Sequence, residues 1–256
     1  MKQALALEFE LLLIALQFLT RLPISAEISY TDQKVSDSAA YYPLVGIGVG
    51  GVGGLSFLLL NGLLPAYVAV WLTVAVLVWL TGCFHEDGFA DMCDGVGGGV
   101  DKAAALHIMR DSRLGTYGVA GLILLLGTKV ATLSAFAPLA VPLVLVAGHS
   151  LSRLSAVMVI MTSDYVRATG IATRVASGIS RRRATLMALT GLFVILATIL
   201  SQGFGVCLGM LAGCIAGHVV ARWQFERKLG GYTGDCLGAT QQLSELGLYL
   251  GALVCI

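Results

Sequence analysis

Long apolar stretches separated by short polar ones dominate the chain. They run from Ala39 to Leu60, Leu63 to Leu80, Tyr117 to Phe136, Val141 to Met161, Ala184 to Ser201 and Phe204 to Val220. Each approaches the roughly 20 residues that carry a helix across a bilayer. A β-barrel would alternate polar and apolar residues, whereas these runs are apolar throughout. The pattern predicts a fold that is all-α: a polytopic transmembrane helical bundle forming a single membrane domain. Two flanking segments, Leu5 to Leu19 with Glu8 and Glu10, and 241–256 with Glu245, either span or lie along the interface. The N-terminus has few basic residues and no small-residue cleavage site, which argues against a removed signal peptide.

Composition agrees with the lipid bilayer as partner: 57% of residues are hydrophobic and only 12% are charged. A net charge of +1 supplies no basic field for nucleic acid. Charge is unevenly placed. The linkers Asn61–Ala66, Ala137–Pro142 and Gln202–Gly205 carry none. The alternate linkers hold Lys102, Arg110 and Arg113, then Arg167, Arg174 and Arg181 to Arg183, then Arg222, Arg227 and Lys228, with Arg21 and Lys34 on the same side. By the positive-inside rule the charged linkers face the cytoplasm, which makes any polar site there cytoplasm-facing. The 6 Cys lack metal-knuckle spacing and read as reduced, ordinary residues. A homo-oligomer is compatible with the sequence.

Candidate chemistry gathers between His85 and Gly99. If that stretch is helical, Asp87, Asp91 and Asp94 stand at i, i+4 and i+7, on one stripe of the surface. Like charges so placed repel, and a hard divalent cation such as Mg²⁺ would reverse the cost. The competing reading is a solvated acidic loop at a helix end. Farther on, Arg110 and Arg113 bracket Asp111, and arginine forks suit a diphosphate, although they also serve as membrane anchors. Lys129 and Arg153 fall inside apolar runs, where a cation needs a polar cavity or a partner. The loop from Leu229 to Thr240, with Gly231, Thr233 and Asp235, alternates glycine with small polar groups. Its backbone could close on phosphate oxygens while Asp235 serves as ligand or base.

Several motifs, in order, resemble one family. His85-Glu86-Asp87-Gly88-Phe89-Ala90-Asp91-Met92-Cys93-Asp94-Gly95 is similar to the acidic signature of the cobalamin synthases, also called adenosylcobinamide-GDP ribazoletransferases. Phe18 to Pro23, Tyr42 to Gly46, Met109 to Gly118, Ser152-Arg153 and Gly230 to Ala239 resemble further family motifs, so the likeness covers most of the chain. Phe89 stands where Leu is usual, and Gln241-Gln242 where an acid is expected.

The resemblance implies Mg²⁺-dependent transfer of the phosphocobinamide moiety of adenosylcobinamide-GDP to α-ribazole or its 5′-phosphate, releasing GMP, at the inner membrane of a prokaryote. Set beside the residues, it puts Asp87, Asp91, Asp94 and Glu86 forward as metal ligands. His85, Asp111 and Asp235 become catalytic candidates. Arg21, Arg110, Arg113, Lys129, Arg153, Gly231 and Thr233 become substrate contacts. A phosphotransferase of CDP-alcohol type is the nearest rival, but its signature needs Arg after the alanine, where Asp91 stands. An ion-coupled transporter would place charges near the midplane and show inverted repeats, and no repeat is visible.

Overall fold

In the computed structural model, residues 2–25, 28–167 and 180–256 are described. Arg174, counted above among the linker cations, lies outside the described residues. Helix α1 (Lys2–Leu19) ends where the Thr20 hydroxyl donates back to the Leu16 carbonyl and Pro23 follows. A short α2 (Asp32–Ser38), capped by Thr31, passes through a 3₁₀ turn (Ala39–Tyr41) into α3 (Tyr42–Asn61), which has Pro43 in its first turn. Then come α4 (Ala66–Thr81), α5 (Phe84–Gly98), α6 (Lys102–Ile108), α7 (Thr116–Ser134) and α8 (Val141–Thr162). The last three are α9 (Arg181–Gln202), α10 (Phe204–Leu229) and α11 (Gly234–Val254). No strand occurs among the described residues beyond an isolated bridge between Tyr165 and Tyr232.

Among the described residues, five stretches are long and apolar enough to cross a membrane: Asp32–Asn61, Thr116–Ser134, Val141–Thr162, Arg182–Gln202 and Phe204–Leu229. The chain is a multi-pass helical membrane protein. Helix α8 is the central post, with 78% of its apolar window buried, against 22% for α9 and for α10, whose remaining faces meet lipid. Glycine permits the closest crossings. A Cβ on Gly46 of α3 would stand 2.3 Å from the His149 carbonyl oxygen of α8, and one on Gly213 of α10 would stand 2.0 Å from that of Gly247 on α11. At those points only a missing side chain lets the backbones touch.

The apolar run from Leu63 to Leu80 becomes α4, shortened at its start because Pro65 precedes it. At its end Gly82 (φ 66°) and Cys83 (φ 59°) are both left-handed, and the chain turns by 90° into α5. Helix α5 therefore leaves the line of α4 and belongs to none of the five stretches above; counted with α4 as one broken span, the pair makes a sixth. Its underside rests on the first turns of α11, where a Cβ on Gly88 would stand 3.0 Å from the Asp235 Cα. Helix α11 begins at Gly234, ahead of the apolar segment expected from Gln241, because Thr233 caps it.

Candidate functional site

The acidic stretch is helical, so Asp87 and Asp91 share a face. They line a cavity of ≈ 260 Å³ with Glu86, Cys83, Ser112 and Leu114. Asp235, in the first turn of α11, approaches from the side: burial, together with the charges of Asp235 and Asp87, pushes the Asp91 carboxyl up to about 7. Asp235 is fixed by Arg167, whose Nη2 donates to Oδ2 at 2.7 Å, and by the Thr233 hydroxyl at 3.3 Å. Arg167 also donates to the Met109 carbonyl at 3.2 Å, tying the linker after α8 to the one after α6.

Asp94 completes the stripe in register and is bonded to the start of α7. Its Oδ2 accepts from the Gly115 N–H at 2.7 Å and its Oδ1 from the Gly118 N–H at 2.8 Å. A carboxylate at the start of α7 satisfies amides that have no helical partner and complements the dipole, so Asp94 caps α7, and it is not among the residues that line the acidic cavity. Among the described residues no three His, Cys, Asp or Glu side chains converge into a ready-made metal cage. That donor set still fits Mg²⁺, which is commonly held by one or two carboxylates, with waters and substrate phosphates supplying the remaining oxygens.

Behind α5 lies a second polar cluster, deep in the bundle. Lys129 Nζ donates to Glu245 Oε1 at 2.7 Å and to Gln242 Oε1 at 2.5 Å. His149 Nδ1 stands 3.0 Å from Glu245 Oε2 and 3.2 Å from Arg153 Nη1. Gln241 donates to the same Oε2 at 2.6 Å and to Ser152 Oγ at 2.9 Å. Gln242 Nε2 donates to Glu86 Oε1 at 2.8 Å. Arg153, 2% exposed, gives Nη1 to the His149 carbonyl at 2.8 Å, while its Nε has no partner. These groups border a small cavity of ≈ 20 Å³, and Glu86, Val78 and Leu126 line both it and the acidic cavity.

The remaining expectations divide accordingly. His85 is two positions from Asp87 and so on another helix face; it is buried beside Arg153 and packs edge-on against Phe84, and it does not reach the acidic cavity. Glu86 turns Oε1 inward to Gln242 while it also lines the acidic cavity beside Asp87, its buried Oε2 without a hydrogen-bond partner. Lys129 has protein partners and is distant in role from a substrate contact. Thr233 is wholly buried as a helix cap. A Cβ on Gly231 would lie 2.2 Å from the Asp164 carbonyl oxygen, so this glycine serves the packing of two linkers.

Arg21 lies over Gly82 at the bend, its backbone N–H bonded to the Leu80 carbonyl at 2.8 Å. Arg113 is exposed and forks onto Asp111 at 2.6 Å, which holds the Asp111 carboxyl down at about 2; Arg110 is exposed beside them. Residues 110–113 thus flank the acidic cavity through Ser112. The sequence reading missed Arg167, counted there among linker charges, and Gln242 and Glu245 as the partners of Lys129. An acid in an apolar helix was the available signal for Glu245.

A bent helical membrane protein with a carboxylate-lined recess at its helix ends is the class that fold and site define. The profile of the family described as cobalamin-5-phosphate synthase matches residues 11–253. The chain is 43% identical to the adenosylcobinamide-GDP ribazoletransferase of Leptothrix cholodnii, with 98% of this chain and 97% of that protein covered. It is 41% identical to the protein of that name from Shewanella amazonensis, over 96% of both, and 37% identical to that of Vibrio cholerae, over 98% and 95%. No solved structure matches. The chain belongs to the cobalamin-5-phosphate synthase family.

Proposed function

We propose that this chain transfers the phosphocobinamide moiety of adenosylcobinamide-GDP to α-ribazole or its 5′-phosphate and releases GMP, at the cytoplasmic face of a prokaryotic inner membrane. A hydroxyl of the acceptor attacks the phosphorus that carries cobinamide, and the bond from that phosphorus to the GMP oxygen breaks. Asp87 and Asp91 would hold Mg²⁺, which offsets charge on the diphosphate oxygens when bound. Asp235, steadied by Arg167 on the adjoining wall, takes the proton of the attacking hydroxyl. Arg110 and Arg113, on the flanking linker, are free to fold onto the nucleotide phosphates, with Arg113 exchanging its half-buried Asp111 partner for them. Positive charge on the linkers that meet around this recess supports the cytoplasmic placement.

The observation that carries the reading is the approach of Asp235 to Asp87 and Asp91 at the contact of α5 with α11, in a chain of this family. The test is release of GMP from adenosylcobinamide-GDP by purified protein in detergent, required to depend on added α-ribazole or its 5′-phosphate. Acceptor-independent release, or none, would remove the proposal.

A further inference from the structure

Glu86 stands one residue before Asp87, yet its carboxylate belongs to the interior. Its Oε1 accepts from Gln242 Nε2, and the other end of the same amide accepts from Lys129, itself paired with Glu245. Gln242 is 2% exposed, and Glu86 lines both the acidic and the interior cavity. A side-chain amide suits this place because it presents an acceptor to a cation and a donor to an anion. Neither Asp nor Glu could do both without setting carboxylate against carboxylate.

The adjoining backbone contacts, Gly88 on Asp235 and Gly238 on the His85 carbonyl, set how closely α5 and α11 approach. Asp94, bonded to the Gly115 and Gly118 amides, holds the later turns of α5, whereas these side-chain-free contacts leave the orientation of its first turn to be fixed by something else. We infer that Gln242 is a positioning residue for the transfer reaction: by gripping Glu86 it orients the first turn of α5, and so the direction in which Asp87, and Asp91 one turn on, face the recess. The inference rests on the function proposed above, and it adds that Glu86 acts through Gln242.

The test compares Gln242→Met, which keeps the volume and removes both hydrogen bonds, Gln242→Glu, which faces Glu86 with a like charge, and Glu86→Gln combined with Gln242→Glu, which exchanges the two groups. Each purified variant is assayed for GMP release against Mg²⁺ concentration and, separately, for the rise in unfolding temperature that Mg²⁺ alone produces. Both single variants are expected to lose about 10- to 100-fold in activity, the usual cost of disturbing a group that orients a ligand, with a smaller Mg²⁺-induced shift. The exchanged variant should recover at least about tenfold of that loss and most of the shift.

Normal activity and Mg²⁺ response in Gln242→Met would overturn the inference, as would an exchanged variant no better than Gln242→Glu, which would make Glu86 act directly. Should Gln242→Met not accumulate as folded protein, the other two decide. Failure of the functional reading shows differently: the unchanged chain then releases no GMP, while the Mg²⁺-induced shift still reports on Gln242.

Discussion

Lys129 Nζ and Glu245 Oε1 lie 2.7 Å apart, with side chains 5% and 3% exposed, between α7 and α11 in the middle of the bundle. Removing one partner leaves the other charge buried and uncompensated, which costs about 3–5 kcal/mol in comparable pairs. Lys129→Met should therefore lower the unfolding temperature in detergent sharply. Adding Glu245→Gln should restore part of it, because the amide leaves no unpaired charge. Additive losses in the double variant would show that the pair is not coupled.

The stripe of aspartates should separate by function. Asp94→Asn keeps one acceptor for the α7 amides and gives up the other, a loss of about 1–2 kcal/mol seen as reduced thermal stability. The Mg²⁺ concentration giving half-maximal activity should stay where it is. Asp91→Asn should do the reverse, raising the Mg²⁺ requirement without loss of stability in the metal-free protein. A Mg²⁺ titration and a melting curve on each variant make the distinction.

Asp91 ties the Mg²⁺ response to pH. Its carboxyl titrates at about 7 in the fold, against 3.8 in the unfolded chain. A raised pKa contributes stability that is complete below the unfolded value and lost as pH rises through the folded one. Across that window ionisation of Asp91 destabilises the metal-free protein, and a bound cation opposes it. The rise in unfolding temperature produced by Mg²⁺ should be larger at about pH 8 than at about pH 6, and the difference should shrink in Asp91→Asn. An equal rise at both would contradict the assignment.

The contact of α10 with α11 predicts a different kind of sensitivity. A Cβ on Gly213 has no room against the Gly247 carbonyl, so Gly213→Ala must push the helices apart at a cost of about 1–3 kcal/mol. Because α11 carries Asp235 at its first turn, activity should fall with stability. The same change at Gly205, where nothing lies within 4 Å, should be silent in both measurements.

What could be read from residues alone followed local spacing. The membrane class, the order of helices and the shared face of Asp87 and Asp91 all come from periods of a few residues, which the chain displays openly. Asp94 could not be sorted from its neighbours, since its partners are amides at Gly115 and Gly118, 21 and 24 residues along, which only the fold brings near. Lys129 announced that it needed a partner, but Gln242 and Glu245 are 113 and 116 positions away. His85 looked like a base because it opens the acidic motif; the helical turn that aligns Asp87 with Asp91 is the same geometry that sends His85 elsewhere. Arg167 hid among cations that topology alone would explain.

The most direct measurement is GMP release from adenosylcobinamide-GDP by Asp87→Asn and Asp91→Asn proteins, matched to the parent for folding and titrated with Mg²⁺. Each substitution should lower turnover by more than about a hundredfold, beyond the usual cost of disturbing an outer-shell group, and excess Mg²⁺ should recover part of it. Turnover close to the parent in both variants, or full turnover of the parent in the presence of a chelator, would contradict the claim that these carboxylates hold the cation at the diphosphate.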